Sequence, residues 1–160
     1  MTPNSQVIVK IKRLIPEAQL PRYEHPGDSG ADLVAVTDYT LQPMQWFAVP
    51  TGLSAEVPIG FELQIRPRSG LALRHGVTVL NTPGTVDAGY RGEIKVILLN
   101  LGSEPFYISK GQKIAQLVVA PVVWAQFEEV DKLTQSQRGS SGFGSTGITY
   151  VETNDEQSQH

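Results

Sequence analysis

In the stretch "RPRSGLAL", Arg68, Ser69 and Gly70 offer a guanidinium fork, a hydroxyl and a backbone N–H within three residues. Such a set makes a compact anion cradle, with an ordinary Pro67–Gly70 turn as the alternative reading. In "NTPGTVDAGYRGEIK", Asp87 stands between Val86 and Ala88, close in sequence to Tyr90 and Arg91. It reads either as an Asx-turn residue or as a carboxylate placed to activate water. The turn dipeptides Pro83-Gly84 and Ala88-Gly89 predict a β-hairpin that presents Thr85, Val86 and Asp87 along one arm, with a small flat ligand in its mouth. Tyr90, wedged between Gly89 and Arg91, reads as a core side chain or as a ring pressed against a sugar. Asp32, between Ala31 and Leu33 in "PGDSGADL", needs a partner if buried, as does the amide of Gln116 among the apolar neighbours of "KGQKIAQLVV".

A fifth stretch, "RGSSGFGSTG" from Arg138 to Gly147, contains a literal G-x-G-x-x-G. A dinucleotide-binding turn must follow a strand and open a helix inside a βαβ unit, and only 13 residues follow Gly147. The match is one of spelling. What remains is a charge at Arg138, a stacking face at Phe143, close backbone approach at Gly144 and hydroxyls at Ser145 and Thr146. A flexible Gly/Ser linker is the alternative.

The elements that must position these groups are short strands. In "VIVKIK", Val7, Val9 and Ile11 share one face, and in "FELQIRP" Phe61, Leu63 and Ile65 do the same. "WFAVP", "GVTVL", "GEIKVILLNL", "PFYIS", "KIAQLVVAPV" and "VWAQFEEV" read likewise, separated by Pro, Gly, Asn and Asp. One short helical turn is expected in "SGLALRHG". The sum predicts an all-β fold of the jelly-roll kind. Composition shifts after Leu133, so residues 1–133 are expected to form the β-domain, 134–147 a flexible glycine-rich arm and 148–160 a disordered tail.

Composition excludes several classes of chemistry. There is no cysteine, hence no disulfide, thiolate metal site or Cys nucleophile, and His25, His75 and His160 lack metal-ligand spacing. The net charge of −3, from 13 Lys+Arg against 16 Asp+Glu, gives no general footprint for nucleic acid. No stretch approaches the ~18 apolar residues of a membrane span, so a soluble protein without membrane partners is expected, and the cysteine-free composition, which demands no oxidising compartment, makes cytoplasm the default.

In order and spacing, "GDSGADL", "RPRSGLA", "NTPGTVDAGYRGEIK", "GQKIAQL" and "RGSSGFGSTG" together closely resemble the five motifs of the trimeric dUTP diphosphatases, from about Pro26 to Gly147. The resemblance implies a jelly-roll homotrimer that hydrolyses dUTP to dUMP and pyrophosphate, with Mg²⁺ on the triphosphate. That activity would limit uracil incorporation into DNA and supply dUMP for thymidylate synthesis. It implies active sites assembled from three subunits, the last motif closing as a lid.

Carried over by position, Asp87 matches the carboxylate that deprotonates the attacking water, and Gln116 the amide near it and the α-phosphate. Arg68, Ser69 and Gly70 match the phosphate cradle. Asn81 and the Thr85–Val86–Asp87 arm match the uracil-reading segment, Tyr90 the ring against deoxyribose, and Lys95 a position at the nucleotide site. Asp32 matches a carboxylate reaching the metal region through water. Arg138 matches a guanidinium on the γ-phosphate and Phe143 the ring over uracil, with Gly144, Ser145 and Thr146 beside them. Two rivals share the fold: a dCTP deaminase, and a regulatory trimer acting by protein binding.

Overall fold

The computed structural model of this chain describes residues 6–143. Ten strands and one helix follow in chain order: β1 (Lys10–Arg13), β2 (Ala31–Val34), β3 (Tyr39–Leu41), β4 (Trp46–Glu56), β5 (Phe61–Arg66), α1 (Ser69–His75), β6 (Val77–Val79), β7 (Gly84–Val86), β8 (Glu93–Asn100), β9 (Phe106–Ile108) and β10 (Lys113–Pro121). They form two four-stranded antiparallel sheets, β1-β4-β8-β6 and β2-β10-β5-β7, and a two-stranded ribbon, β3-β9. This is the jelly-roll arrangement that the alternating patterns predict.

The alternation decides which face is buried. Along β8, Ile94, Val96, Leu98 and Asn100 point inward while Glu93, Lys95, Ile97 and Leu99 point out. Val49, Leu53, Val77 and Val79 join them from the first sheet, facing Leu33, Leu63, Ile65 and Leu117 of the second. Leu41 and Ile108 add the ribbon to the same core.

Two irregularities break the alternation. In β4, Pro50 pairs with Lys95 and Ser54 with Glu93, so three residues, Thr51 to Leu53, stand opposite the single residue Ile94. Gly52 carries the positive φ of 66° required there, and a Cβ would meet Ala18 and Ile15 at 2.9 Å. Thr51 Oγ1 donates to the Ile94 carbonyl at 2.6 Å, and the Glu93 carboxylate accepts the Gly52 N–H at 2.9 Å. In β10, Lys113 pairs with Val34 but Ala115 with Leu33, so Ile114 is the extra residue of a bulge. The helix α1 ends at Gly76, in the left-handed region with φ 65°.

Three expectations are revised. The segment after Val79 is no hairpin: β6 pairs with β8 in one sheet and β7 with β5 in the other, so residues 80–83 cross between sheets. The Pro83-Gly84 turn signal marks that crossing. Residues 122–130, "VWAQFEEV" among them, form no strand. Val123, Trp124 and Phe127 are almost fully exposed there, without the apolar cover that turns alternation into a strand. β1 begins at Lys10 rather than Val7, although Val7, Val9 and Ile11 are half-buried as expected. The chain divides into two units, Met1–Trp124 and Ala125–His160. Among the described residues no helix is long and apolar enough to cross a membrane.

Asn100 closes the inner face of β8. Its Nδ2 donates to the carbonyls of Leu41 and Glu104 at 3.0 and 2.8 Å, and its Oδ1 accepts the Gly102 N–H at 2.8 Å. Asn100→Ala removes all three from a fully buried position. At ~1 kcal/mol for each bond, a loss of about 3 kcal/mol is expected in urea unfolding; a loss below ~1 kcal/mol would mean the ribbon is held by packing alone.

Candidate active site

Asp32 lies on β2 with only 6% of its surface exposed, flanked by the buried Ala31 and Leu33. A carboxylate so placed must be paired, and two cations meet it. Arg68 Nη1 bonds to Asp32 Oδ1, and Lys113 Nζ lies 2.8 Å from Oδ2. Lys113 also bonds to Glu24 Oε2 at 2.8 Å, and that hydrogen bond, ahead of the charge itself, holds the exposed Glu24 carboxyl below its ordinary range. Across the sheet Asp32 is in register with Gln116, and Gln116 with Arg66, so the three share one face.

Gln116 is half-buried, and its amide makes no hydrogen bond among the described residues. Partial exposure removes the need for a protein partner and leaves the amide free for a ligand or water. Gly30 is the residue that lets it stay there, because a Cβ at Gly30 would come within 3.0 Å of the Gln116 Cβ. Arg68 precedes α1, and its carbonyl accepts the N–H groups of Leu71 and Ala72 at 3.1 Å. The N–H groups of Ser69 and Gly70 have no acceptor among the described residues. Donors therefore gather at one place: Arg68, Ser69, Gly70 and Gln116.

Asp87 belongs to a second place. It is exposed at the start of a turn closed by the Tyr90 N–H on the Asp87 carbonyl at 3.0 Å. Arg91 Nη1 pins that turn through the carbonyls of Ala88 and Tyr90 at 2.7 and 2.9 Å. The Arg91 carbonyl is itself held by Ser54 Oγ of β4 at 2.6 Å. Tyr90 donates its hydroxyl to the Glu93 carbonyl at 3.0 Å, laying its ring across Gly92. Asn81 packs over Gly84, where a Cβ would meet Nδ2 at 3.3 Å. A cavity of about 440 Å³ beside this turn is lined by Ala48, Thr85, Val86, Tyr90, Lys95 and Ile97, with Asp87 outside its wall.

The two places lie at opposite ends of β5. Its register pairs Leu63 with Val86 and Ile65 with Gly84. Asp87 therefore falls level with Glu62, and Arg68 lies six residues further along, about 20 Å away at ~3.3 Å per extended residue. The bulge at Ile114 shapes the other end. Lys113 and Gln116 are three residues apart and would face opposite ways on a regular strand. With the extra residue between them, both face the Asp32 side.

Against proteins of known family, the dUTPase family model matches residues 16–147. The chain belongs to the dUTPase family. It is 56% identical over 141 residues to the deoxyuridine 5'-triphosphate nucleotidohydrolase of Gloeothece citriformis, covering 88% of this chain and 97% of that one. The counterpart in Clostridium tetani is 54% identical over 143 residues, 89% and 99% of the two chains. Among solved structures, the Staphylococcus bacteriophage 80alpha dUTPase with dUpNHpp matches with TM-score 0.82 at 24% identity, over 88% and 99%. A mutant dUTPase from phage phi11 of S. aureus, whose structure concerns the coordination of a structural Mg(II) ion, matches with TM-score 0.72 at 21% identity, over 78% and 97%. At those identities the structures bear on the fold, and the dUTPase fold is the one described above.

Of the residues singled out from sequence, Asp32, Arg68, Ser69, Gly70 and Gln116 are brought together in this dUTPase, as are Asn81, Thr85, Val86, Asp87, Tyr90 and Lys95. Arg138 and Phe143 belong to the second unit, where Arg138 Nε donates to the Ser141 carbonyl at 2.9 Å and Phe143 is fully exposed. Gly144, Ser145 and Thr146 lie outside the described residues. Lys113, Glu24, Arg91, Gly92 and Ser54 were not singled out. Their parts rest on partners distant in sequence, and of these only the glycine in "YRGE" hinted at a close approach.

Gly92→Ala tests the packing of Tyr90. A Cβ there would lie 2.6 Å from Tyr90 Cζ, so the ring must leave. The variant is expected to keep the unfolding midpoint in urea while the Tyr90 ring resonances shift and its hydroxyl exchanges faster. Unchanged ring resonances would show that the backbone yields instead.

Proposed function

We propose that this protein hydrolyses dUTP to dUMP and pyrophosphate, with Asp87 as the base that activates the attacking water and Arg68, Ser69, Gly70 and Gln116 as the phosphate donors. Membership of the dUTPase family and relatives above 50% identity named for this reaction support the substrate. The observation that carries the mechanism is the rigid, exposed placement of Asp87 on a turn pinned by Arg91. A general base must be held within reach of the proton that it takes. In-line attack at phosphorus needs mainly positioning and charge neutralisation, which N–H donors and a guanidinium supply.

Reacting atoms must approach to about 3–3.5 Å, and the two places lie some 20 Å apart along β5 within one chain. A working site therefore joins the Asp87 turn of one copy to the Arg68 cradle of another, which supports the homotrimer with shared sites. In it Asn81 and the Thr85–Val86 arm read uracil, Tyr90 packs on deoxyribose, and Lys95 stands at the rim. Arg138 and Phe143 close over the γ-phosphate and the base, with Gly144, Ser145 and Thr146 in the same lid.

Magnesium enters as a companion of the triphosphate. Asp32 suits only a contact through water, since both its oxygens already face cations. Bound on phosphate oxygens, the ion would neutralise their charge. The product dUMP would serve thymidylate synthesis, and removal of dUTP would keep uracil out of DNA, in the cytoplasm.

Asp87→Asn is expected to keep its affinity for a non-hydrolysable imido analogue of dUTP while turnover falls by about 10²–10⁴-fold. Pyrophosphate release from dUTP, dCTP, dTTP and UTP, with Mg²⁺ and with chelator, reads this directly. Near-normal release by the variant would sink the assignment of Asp87, and ammonia from dCTP would point to the deaminase. Truncation after Leu133 is expected to leave the β-body folded and lower dUTP turnover by on the order of 100-fold, the usual cost of losing a positioned transition-state donor. Full activity in that protein would return the arm to a linker.

A further inference from the structure

Four charged side chains form an alternating line, Glu24–Lys113–Asp32–Arg68, that sums to zero. Its open end is Arg68. Asp32 Oδ1 accepts Arg68 Nη1 alone, while Nε and Nη2 of the guanidinium make no hydrogen bond among the described residues. A carboxylate left with a guanidinium normally takes it by two parallel bonds, fork to fork. Here the second oxygen is occupied, because Lys113 Nζ stands 2.8 Å from Oδ2.

The ammonium is built into that position. The bulge at Ile114 turns Lys113 onto the Asp32 face, and Glu24 grips it from the solvent side at 2.8 Å. A regular β10 would aim Lys113 into the core, where Ile114 and Ala115 now lie fully buried.

We propose that Lys113 is a positioning residue for the phosphate cradle: by occupying Asp32 Oδ2 it limits Arg68 to a single-nitrogen contact and keeps the rest of the guanidinium fork available to the substrate's phosphates. This rests on the reading of Arg68 as a phosphate donor. Without Lys113, Arg68 closes onto both oxygens of Asp32 and is withdrawn from the nucleotide. The effect falls on binding of the phosphate chain, since Asp87 and its turn are untouched.

The test uses the full chain carrying Lys113→Met, with Lys113→Gln as a second variant and melting temperature as the control for folding. Wild-type cleavage of dUTP is measured first, and its absence would overturn the hydrolysis reading, and this proposal with it. Given that activity, Lys113→Met is expected to weaken the imido analogue about tenfold, the worth of one charge-assisted bond. KM for dUTP should rise by the same factor, kcat should stay within about twofold, and binding of deoxyuridine, which has no phosphate, should not change. Lys113→Arg should restore KM to within about threefold.

The deciding measurement is a cycle with Asp32→Asn. Acting only through Asp32, Lys113→Met should cost nothing further in the Asp32→Asn background. An equal loss in both backgrounds would mean that Lys113 touches phosphate directly. Parallel losses for the analogue and deoxyuridine would mean general damage to the site. Either result overturns the proposal while leaving the hydrolysis reading intact.

Discussion

A buried carboxylate cannot stand alone in an apolar wall, and Asp32 is such a carboxylate, set between the buried Ala31 and Leu33 on the face of β2 that it shares with Gln116 and Arg66. Leaving it unpaired would cost several kcal/mol, so the fold must bring cations to it. One comes from the end of β5, which fixes where α1 begins; the other comes from β10, which must bulge to deliver it. Removing the carboxylate would loosen the start of the helix and the register of a central strand together. The proposed anion cradle is thus a by-product of a stability constraint: Arg68, in neutralising Asp32 through Nη1, is left with N–H groups to spare.

The opposite end of β5 is built on bonds between side chains and backbone groups. The broad bulge of β4 exposes backbone donors and acceptors that a regular strand would use in pairing, and Thr51, Ser54 and Glu93 take them up. Through the carbonyl of Arg91 that repair reaches the turn carrying Asp87. The carboxylate therefore points into solvent from a backbone with little freedom to move. Under the proposed mechanism, a base held in this way loses less entropy when a substrate arrives than one on a free loop.

These two constructions also explain what the amino-acid sequence disclosed. Strand alternation is local, and β5, β8 and β10 were legible from it because one face of each is core. "VWAQFEEV" reads as a strand too and is none, since alternation reports only a capacity to be covered and Val123, Trp124 and Phe127 are almost fully exposed. The Pro83-Gly84 signal marked a turn correctly, but local signals cannot say whether a turn returns the chain to its own sheet or crosses to the other. Asp32, Arg68, Asp87 and Gln116 stood out as polar groups in motifs. Lys113 did not, for its aim depends on a one-residue shift of register against β2, a property of the pair of strands that neither strand carries alone.

Under the proposed function, half-sites at two ends of one strand are what a small β-body provides for a long and heavily charged substrate. A single end could hold the base and sugar or the phosphates, and placing all the cations near the carboxylate base would pair it with a guanidinium before any water reached it. Separation along β5 keeps Asp87 away from Arg68 inside each chain, so neither group is spent on the other. Under the proposed function, assembly between copies brings them together across an interface, with the nucleotide between them. Under the proposed mechanism the distance that makes one chain incomplete is the same distance that keeps its base available.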